Sequence, residues 1–491
     1  MNQIPQSLRE SQRAKNFSFL KTEQLLFGFI AIGAFLVILR SAPLIASPYQ
    51  IDYGEGLILD GALRILHAQP LYPNPFTFPV VLHVYGPIAY AATASVLPGG
   101  AASFPAGRLL ILICSLVISS LIATILRRLT GSLWIGLCFG FVLLTLPAFR
   151  FWLYLLRADL IGVVLSTLAI AIYLFNEKRW YWSIPFFVLA LFCKYSLIAG
   201  AVAVFVHLIL KRQFKRGAAF GLGLGVAASL AFMVLEVNTG KWFAFHMFST
   251  HPDRYSLFQF FSLGALVWAS APVITALAGW FVAMSVREGV HSFAPIYLAA
   301  STLTSLTGGK LGSTTNHFIE WMVACCICAG LGYSLLQIKY SAKSLSITVL
   351  IGVSVLAGVI AQNRRSLQPS GDLAGCGDAY HFVSASSSSR ILSESLGPLL
   401  LAGKPIVVSD PFVYGQLIGH GLWPDRRVED LLNERYFGLI VMSYDPRTDT
   451  RHSDVWPEPL LTAIARNYRT TNRFTCRYAG VMLEPALPPT D

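Results

Sequence analysis

Long apolar runs recur along the chain between Leu25 and Ala361, each near the ~20 residues that a helix needs to cross a hydrocarbon core. Eleven are legible: Leu25–Ala46, Leu109–Leu126, Leu133–Tyr154, Leu160–Phe175, Trp180–Phe192, Tyr195–Leu210, Gly217–Leu235, Phe258–Val286, Phe293–Leu306, Phe318–Leu336 and Leu345–Ala361. Their continuity predicts helices, because a segment in lipid must satisfy its own backbone hydrogen bonds and a barrel strand would alternate. No secretory cleavage site follows the first run, so it is expected to remain as a helix behind a polar tail, residues 1–24. Trp180–Leu210 has two readings, one long helix with Lys194 at its middle or two short crossings with Lys194 at their turn.

Composition agrees with a lipid solvent. Of 491 residues 55% are hydrophobic and 13% charged, about half the charged share of a soluble domain, and the mean hydropathy is +0.59. The formal charge of +12 does not point to nucleic acid, since its basic residues are not gathered on a water-exposed face. They collect instead at alternate loops: Arg127 and Arg128, Lys178 and Arg179, Lys211 to Arg216, Arg287, and Lys339 with Lys343. Loops rich in Lys and Arg stay on the cytoplasmic side, which predicts a cytoplasmic amino terminus and an extracytoplasmic carboxyl terminus. The same rule favours two short crossings around Lys194, because one crossing would put Lys211–Arg216 outside.

The predicted outer loops are unequal. Ser47–Gly107 is about 60 residues, room enough to build a site at the membrane face. The expected domains are therefore a transmembrane body at 25–361, including this first loop at 47–107, and a soluble unit at 362–491. In that tail Pro405–Ser409 and Gly438–Ser443 read as buried strands, Val428–Tyr436 and Pro459–Tyr468 as helices, and Ser384–Ser389 as a loop, which predicts a small α/β fold. Six of the eight cysteines lie in apolar runs and read as small hydrophobes. Cys376 and Cys476, the two in the tail, can pair as a disulfide if the tail is extracytoplasmic.

Candidate chemistry gathers near the predicted outer face. Asp52 and Glu55, in Gln50–Leu57, stand three apart, so both project from one side of a first helical turn. They read either as a general base with a helper or as a capping box, Asp52 at the cap and Glu55 at the third position. His83 and Tyr85 in Leu82–Tyr90 can face lipid headgroups or a substrate. Arg157 and Asp159 mark a functional place by their cost near hydrocarbon, or pair with each other. Lys194, with no carboxylate close in sequence, suits a phosphate or snorkels to water. The loop Thr307–Glu320 holds Lys310, Asn316, His317 and Glu320; its glycines and Lys310 can hold an anion, but the spacing is not that of a nucleotide-binding loop. His246, His251, Asp253 and Arg254 are weaker candidates, and no metal site is expected from them.

The combination of Asp52-Tyr53-Gly54-Glu55-Gly56, Arg157-Ala158-Asp159 and the stretch from Lys310 through Gly312, Ser313, Asn316 and His317 to Glu320 resembles the GT-C superfamily of integral-membrane glycosyltransferases. Its relatives include protein O-mannosyltransferases, bacterial aminoarabinose transferases and bacterial glycosyltransferase-39-like proteins. The resemblance runs over nearly the whole chain, the tail around Asp410-Pro411-Phe412 included. It implies a polytopic α-helical membrane enzyme with a small carboxyl-terminal α/β domain, in a bacterial inner membrane. It implies metal-independent, inverting transfer of a sugar from a polyprenyl-phosphate donor to an extracytoplasmic glycan, lipid or protein acceptor, with no cofactor. On that basis Asp52 would be the base, Glu55 would orient the acceptor or a neighbouring residue, and Lys194, Arg157 and Lys310 would stabilise the departing phosphate. Relatives often carry two adjacent acids, whereas here they are three apart, so the division of labour between Asp52 and Glu55 stays open. The rival reading is a transporter or lipid flippase, which would be expected to show inverted repeats and charged or broken helices at the midplane.

Overall fold

The computed structural model describes residues 16–176, 178–250, 255–290, 292–340, 344–365, 373, 375–423, 426–448 and 455–486. The chain divides into two compact units: a helical one built from 1–42, 111–230 and 254–365, and a mixed one built from 43–110, 231–253 and 366–491.

Among the described residues five helices are long and apolar enough to cross a membrane: Lys21–Ala46, Phe104–Thr130, Ala158–Phe175, Phe214–Asn238 and Thr315–Lys339. A further pair, Leu257–Ser270 and Pro272–Arg287, is bent by 98° where a single run was expected. Pro272 explains the break, since it lacks an N–H and turns Ala271 out of the helical region, to φ −139° and ψ 61°. Leu133–Thr145, Trp180–Leu191, Ala199–Leu210 and Leu345–Ala361 are shorter apolar helices, so the eleven runs do not translate into eleven full-length spanning helices. Trp180–Leu210 is interrupted: helices Ser183–Leu191 and Ala199–Leu210 flank a break that contains Lys194.

Within the helical unit small residues set the closest approaches. A Cβ on Gly136 would lie 2.4 Å from Ala123 O, and one on Gly140 2.4 Å from Ser119 O, so this glycine pair, four apart, lets Leu133–Phe141 press on Phe104–Thr130.

The mixed unit carries a four-stranded sheet of β1 (Ile391–Ser393), β2 (Leu439–Met442), β3 (Tyr468–Arg473) and β4 (Val481–Pro485), in the order β1-β2-β4-β3. β1 and β2 are parallel, and the other neighbours are antiparallel. Alternation along β2 sends Ile440 and Met442 into one core with Leu392, Val413, Trp423, Leu460 and Ile464, while Leu439 and Val441 enter a second with Ile391, Tyr380 and Leu399. Both faces of β2 are thus buried. The first core also takes Val80 and Leu82 from the first loop, so that loop folds with the tail.

Helices Arg427–Asn433 and Glu458–Asn467 and strand β2 stand where the sequence predicts them. Pro405–Ser409 does not join the sheet as a strand and forms an isolated parallel bridge, Val80 to Val408. Three strands escape the sequence reading: β1 is only three residues long, β3 is polar and mostly exposed, and β4 is a short apolar run. Cys376 and Cys476 form a disulfide, with Cα atoms 4.7 Å apart, across a hundred residues.

Candidate functional site

In the mixed unit Asp52 caps helix Tyr53–Leu66, and its Oδ1 accepts the Gly54 amide at 3.0 Å. Glu55 closes the capping box, and its Oε2 accepts the amides of Ile51 at 2.9 Å and Asp52 at 3.4 Å. The two acids, expected to project together, have different surroundings. Asp52 is half-buried, while Glu55 is wholly buried against Arg108.

Arg108 holds the Glu55 carboxylate in a bidentate grip, Nε to Oε1 and Nη2 to Oε2, both 2.7 Å. Its remaining donors reach the carbonyls of Leu44 (3.0 Å), Ser47 (2.6 Å) and Tyr49 (2.6 Å). All five guanidinium N–H groups are therefore used, and the chain from the last turn of the first helix to Glu55 is tied to one side chain. Sequence reading missed Arg108; its only signal was a single cation at the edge of an apolar run.

Gln50 and Tyr53 flank Asp52 with further ties. Gln50 Nε2 donates to the carbonyls of Asp52 (2.9 Å) and Tyr53 (3.0 Å). Tyr53 Oη donates to Asp410 Oδ1 at 3.0 Å and accepts the Phe412 amide at 2.9 Å. Burial and the neighbouring Asp410 hold the Tyr53 phenol well above its usual range, so it remains a donor.

His83 lies apart from these acids, beside Asp60, with Nε2 3.4 Å from Asp60 Oδ2; Asp60 is also paired with Arg64 at 3.2 Å. The His83 amide donates to His246 Nδ1 at 3.1 Å, and His246 Nε2 faces Pro73 O at 2.9 Å. These partners assign His246 as the neutral tautomer protonated on Nε2. Burial pushes the imidazole of His246 down to about 4 and that of His83 well below its usual value, while burial lifts Asp60. Tyr85 contributes backbone, its carbonyl accepting from Tyr72 Oη at 2.7 Å. His251, Asp253 and Arg254 lie outside the described residues, and among those described no group of three or more His, Cys, Asp or Glu side chains gathers as a metal set.

In the helical unit the break between Ser183–Leu191 and Ala199–Leu210 brings Lys194 onto Asp159, Nζ to Oδ1 at 2.7 Å. Asn316 Nδ2 donates to the same oxygen at 3.1 Å. Lys194 therefore has a carboxylate partner, supplied from 35 residues earlier. Arg157 stands at the residue before helix Ala158–Phe175 without capping it through its side chain, and its guanidinium lies 5.9 Å from the Trp152 ring centre, while Trp152 Nε1 donates to Thr315 Oγ1 at 2.8 Å. His317 Nδ1 pairs with Thr307 Oγ1 at 2.7 Å.

Lys310 and Glu320 stand differently from that trio. The half-buried Lys310 sits in a loop clamped by Gln259, whose Nε2 is 2.7 Å from Lys310 O and 3.3 Å from the carbonyls of Gly308 and Ser313. Glu320 accepts from Ser166 Oγ at 3.0 Å and from the amides of Ala199 and Gly200, so it caps the start of helix Ala199–Leu210. Gln259 has no local sequence signal that marks its role.

No known family profile matches the chain, and no curated protein matches it in sequence. Solved structures do match. ArnT from Cupriavidus metallidurans in the apo state superposes with a TM-score of 0.63 at 13% identity, over 93% of this chain and 96% of that one. The same protein bound to undecaprenyl phosphate gives 0.62 at 12% identity, over 93% and 97%. An oligosaccharyltransferase from Archaeoglobus fulgidus, tethered to an acceptor peptide, gives 0.56 at 11% identity, over 94% of this chain and 74% of that one.

Proposed function

From the premise that this chain has the GT-C fold, shared with an aminoarabinose transferase and an archaeal oligosaccharyltransferase, we propose that it is a membrane glycosyltransferase moving a sugar from a polyprenyl-phosphate donor to an extracytoplasmic acceptor. The observation that carries this reading is the likeness, over nearly the whole of both chains, to ArnT bound to undecaprenyl phosphate. The transporter reading gains no support from these neighbours.

Asp52 is the base in this reading. Its carboxylate takes the proton of an acceptor hydroxyl as that oxygen attacks the anomeric carbon; the anomeric carbon–oxygen bond breaks and its electron pair leaves with the polyprenyl phosphate. Support comes from its setting: a half-buried carboxylate whose backbone is held by Gln50 and, through Glu55, by Arg108. Glu55 is then a positioning residue, because both its oxygens are engaged by Arg108 and the cap amides. Asp159, Lys194 and Asn316 form the substrate-binding cluster of the helical unit, with His317 as a further binding residue beside it and Arg157, Lys194 and Lys310 as the basic groups for a phosphate. Glu320 supports that cluster by capping helix Ala199–Leu210. His83 and Tyr85 support the first loop, which we place with the tail outside a bacterial inner membrane, the amino terminus inside.

Purified protein in nanodiscs, given a panel of undecaprenyl-phosphate-linked sugars, is expected to release undecaprenyl phosphate. Asp52→Asn is expected to lower the rate by at least ~100-fold, the order of a lost general base. Full turnover in Asp52→Asn refutes the base, and no release from any donor refutes the transferase reading.

A further inference from the structure

Open α/β sheets bind ligands at the carboxyl ends of their parallel strands, where loops lead into helix amino termini. In the mixed unit those ends are Ser393 of β1 and Met442 of β2; the segment Val407–Ser409, bridged to Val80, leads into Asp410, and Asp410 shares the neighbourhood of Tyr53 with Glu394, the residue after β1. The chain leaves β1 through Glu394–Leu396 into helix Gly397–Ala402, and leaves Ser409 through Asp410 into helix Pro411–Gly419. Amide donors of those two helix starts are the groups a ligand would use.

They are already occupied by the segment that carries Asp52. The Gly397 amide donates to Gln50 Oε1 at 2.6 Å, and the Phe412 amide donates to Tyr53 Oη at 2.9 Å. Asp410 Oδ1 accepts both Tyr53 Oη and the Val413 amide, at 3.0 and 3.2 Å. Glu394 is closed off by Ser443, whose amide and hydroxyl donate to Oε2 at 2.8 and 2.9 Å. The approach is close enough to require glycine on both sides. A Cβ on Gly56 would stand 2.9 Å from Leu396 Cβ, and one on Gly397 2.5 Å from Gln50 Oε1.

We infer that the carboxyl edge of the tail's sheet, where an α/β domain would seat a ligand, is instead the mount that fixes Asp52, with Gln50, Tyr53 and Asp410 as positioning residues. Asp52 stands between two anchored neighbours, and Gln50 also bonds the Asp52 carbonyl, so a shift of this edge becomes a shift of the carboxylate. The tail thereby acts on the transfer step through the base and takes no soluble ligand at that edge. The inference rests on the reading of Asp52 as base.

Tyr53→Phe tests it, because the ring stays and both hydroxyl bonds go. In the full-length protein in nanodiscs, hydrogen–deuterium exchange over residues 50–57 is expected to rise several-fold. With whichever undecaprenyl-phosphate-linked sugar the native protein turns over, kcat is expected to fall about tenfold and the donor KM to change less than about twofold, the pattern of a misplaced reacting group. Gly397→Ala, which disturbs Gln50 from the tail side, is expected to raise exchange over the same residues. Normal exchange in both variants, or raised exchange with normal kcat, overturns the mount and leaves the base assignment standing. Retained turnover in Asp52→Asn overturns the base assignment and, with it, the action of the tail on the transfer step, whatever the exchange in Tyr53→Phe.

Discussion

Glu55→Ala should destabilise the mixed unit heavily, through Arg108. In the native protein the guanidinium has no exposed surface and its charge is balanced by Glu55 alone among its hydrogen-bond partners, the other three being carbonyls. Removing one member of a buried pair leaves an uncompensated charge at a cost of about 3–5 kcal/mol. The amides of Ile51 and Asp52 lose their carboxylate acceptor as well, which adds about 1 kcal/mol. At roughly 2–4 °C per kcal/mol for a unit of this size, the midpoint should fall by about 10 °C or more. Fluorescence-detected size-exclusion chromatography of detergent-solubilised protein after graded heating measures it. The double variant Glu55→Leu with Arg108→Met removes both charges and should recover part of the loss, the remainder reflecting the carbonyls of Leu44, Ser47 and Tyr49 left without a donor. A Glu55→Ala midpoint within about 1 °C of native would refute the reasoning, because a desolvated pair cannot be broken at so small a cost.

Two further outcomes follow from the buried groups. Lys194→Met should cost about 3 kcal/mol by taking the ammonium from the buried Asp159, which keeps the Asn316 amide, and Lys194→Met with Asp159→Asn should cost less than the sum of the singles by at least ~1.5 kcal/mol; additive midpoints would show that the two do not interact. Stability should also fall on acidification through His246: its folded value of about 4 lies below the unfolded value near 6.5, so the unfolded chain binds more protons in between. That contribution, about 3 kcal/mol, is fully present above pH ~6.5 and is lost as pH falls toward 4; His246→Asn should flatten the midpoint-against-pH curve over this window, and an unchanged slope would exclude His246 as the titrating group.

Local chemistry was legible in the chain. Apolar runs announced helices in lipid, and the three-residue spacing of Asp52 and Glu55 announced a capping box that the structure contains. Lys194 marked the break in Trp180–Leu210, and GLIVMS marked β2. Each of these is set within one or two turns of backbone, where periodicity, caps and Pro or Gly act directly. Even there Phe258–Val286 misled, because its apolar pattern continues through Pro272 while the helix cannot.

What only the tertiary structure decided is which charges belong to one another. Sequence places Arg157 two residues from Asp159 and leaves Lys194 alone; folding pairs Lys194 with Asp159 and adds Asn316 from 157 residues away. Sequence offers Asp52 as a base with Glu55 as its helper and leaves their division of labour open; Arg108, buried 53 residues later, makes Glu55 a structural anion and leaves Asp52 half-buried. Sequence draws a boundary between the first loop and the tail, yet Val80, Leu82, Gln50 and Tyr53 fold into the tail's core and edge. The physical reason is the same throughout. A buried charge or amide must find a partner wherever the packing supplies one, and no local period records a partner that arrives through the fold.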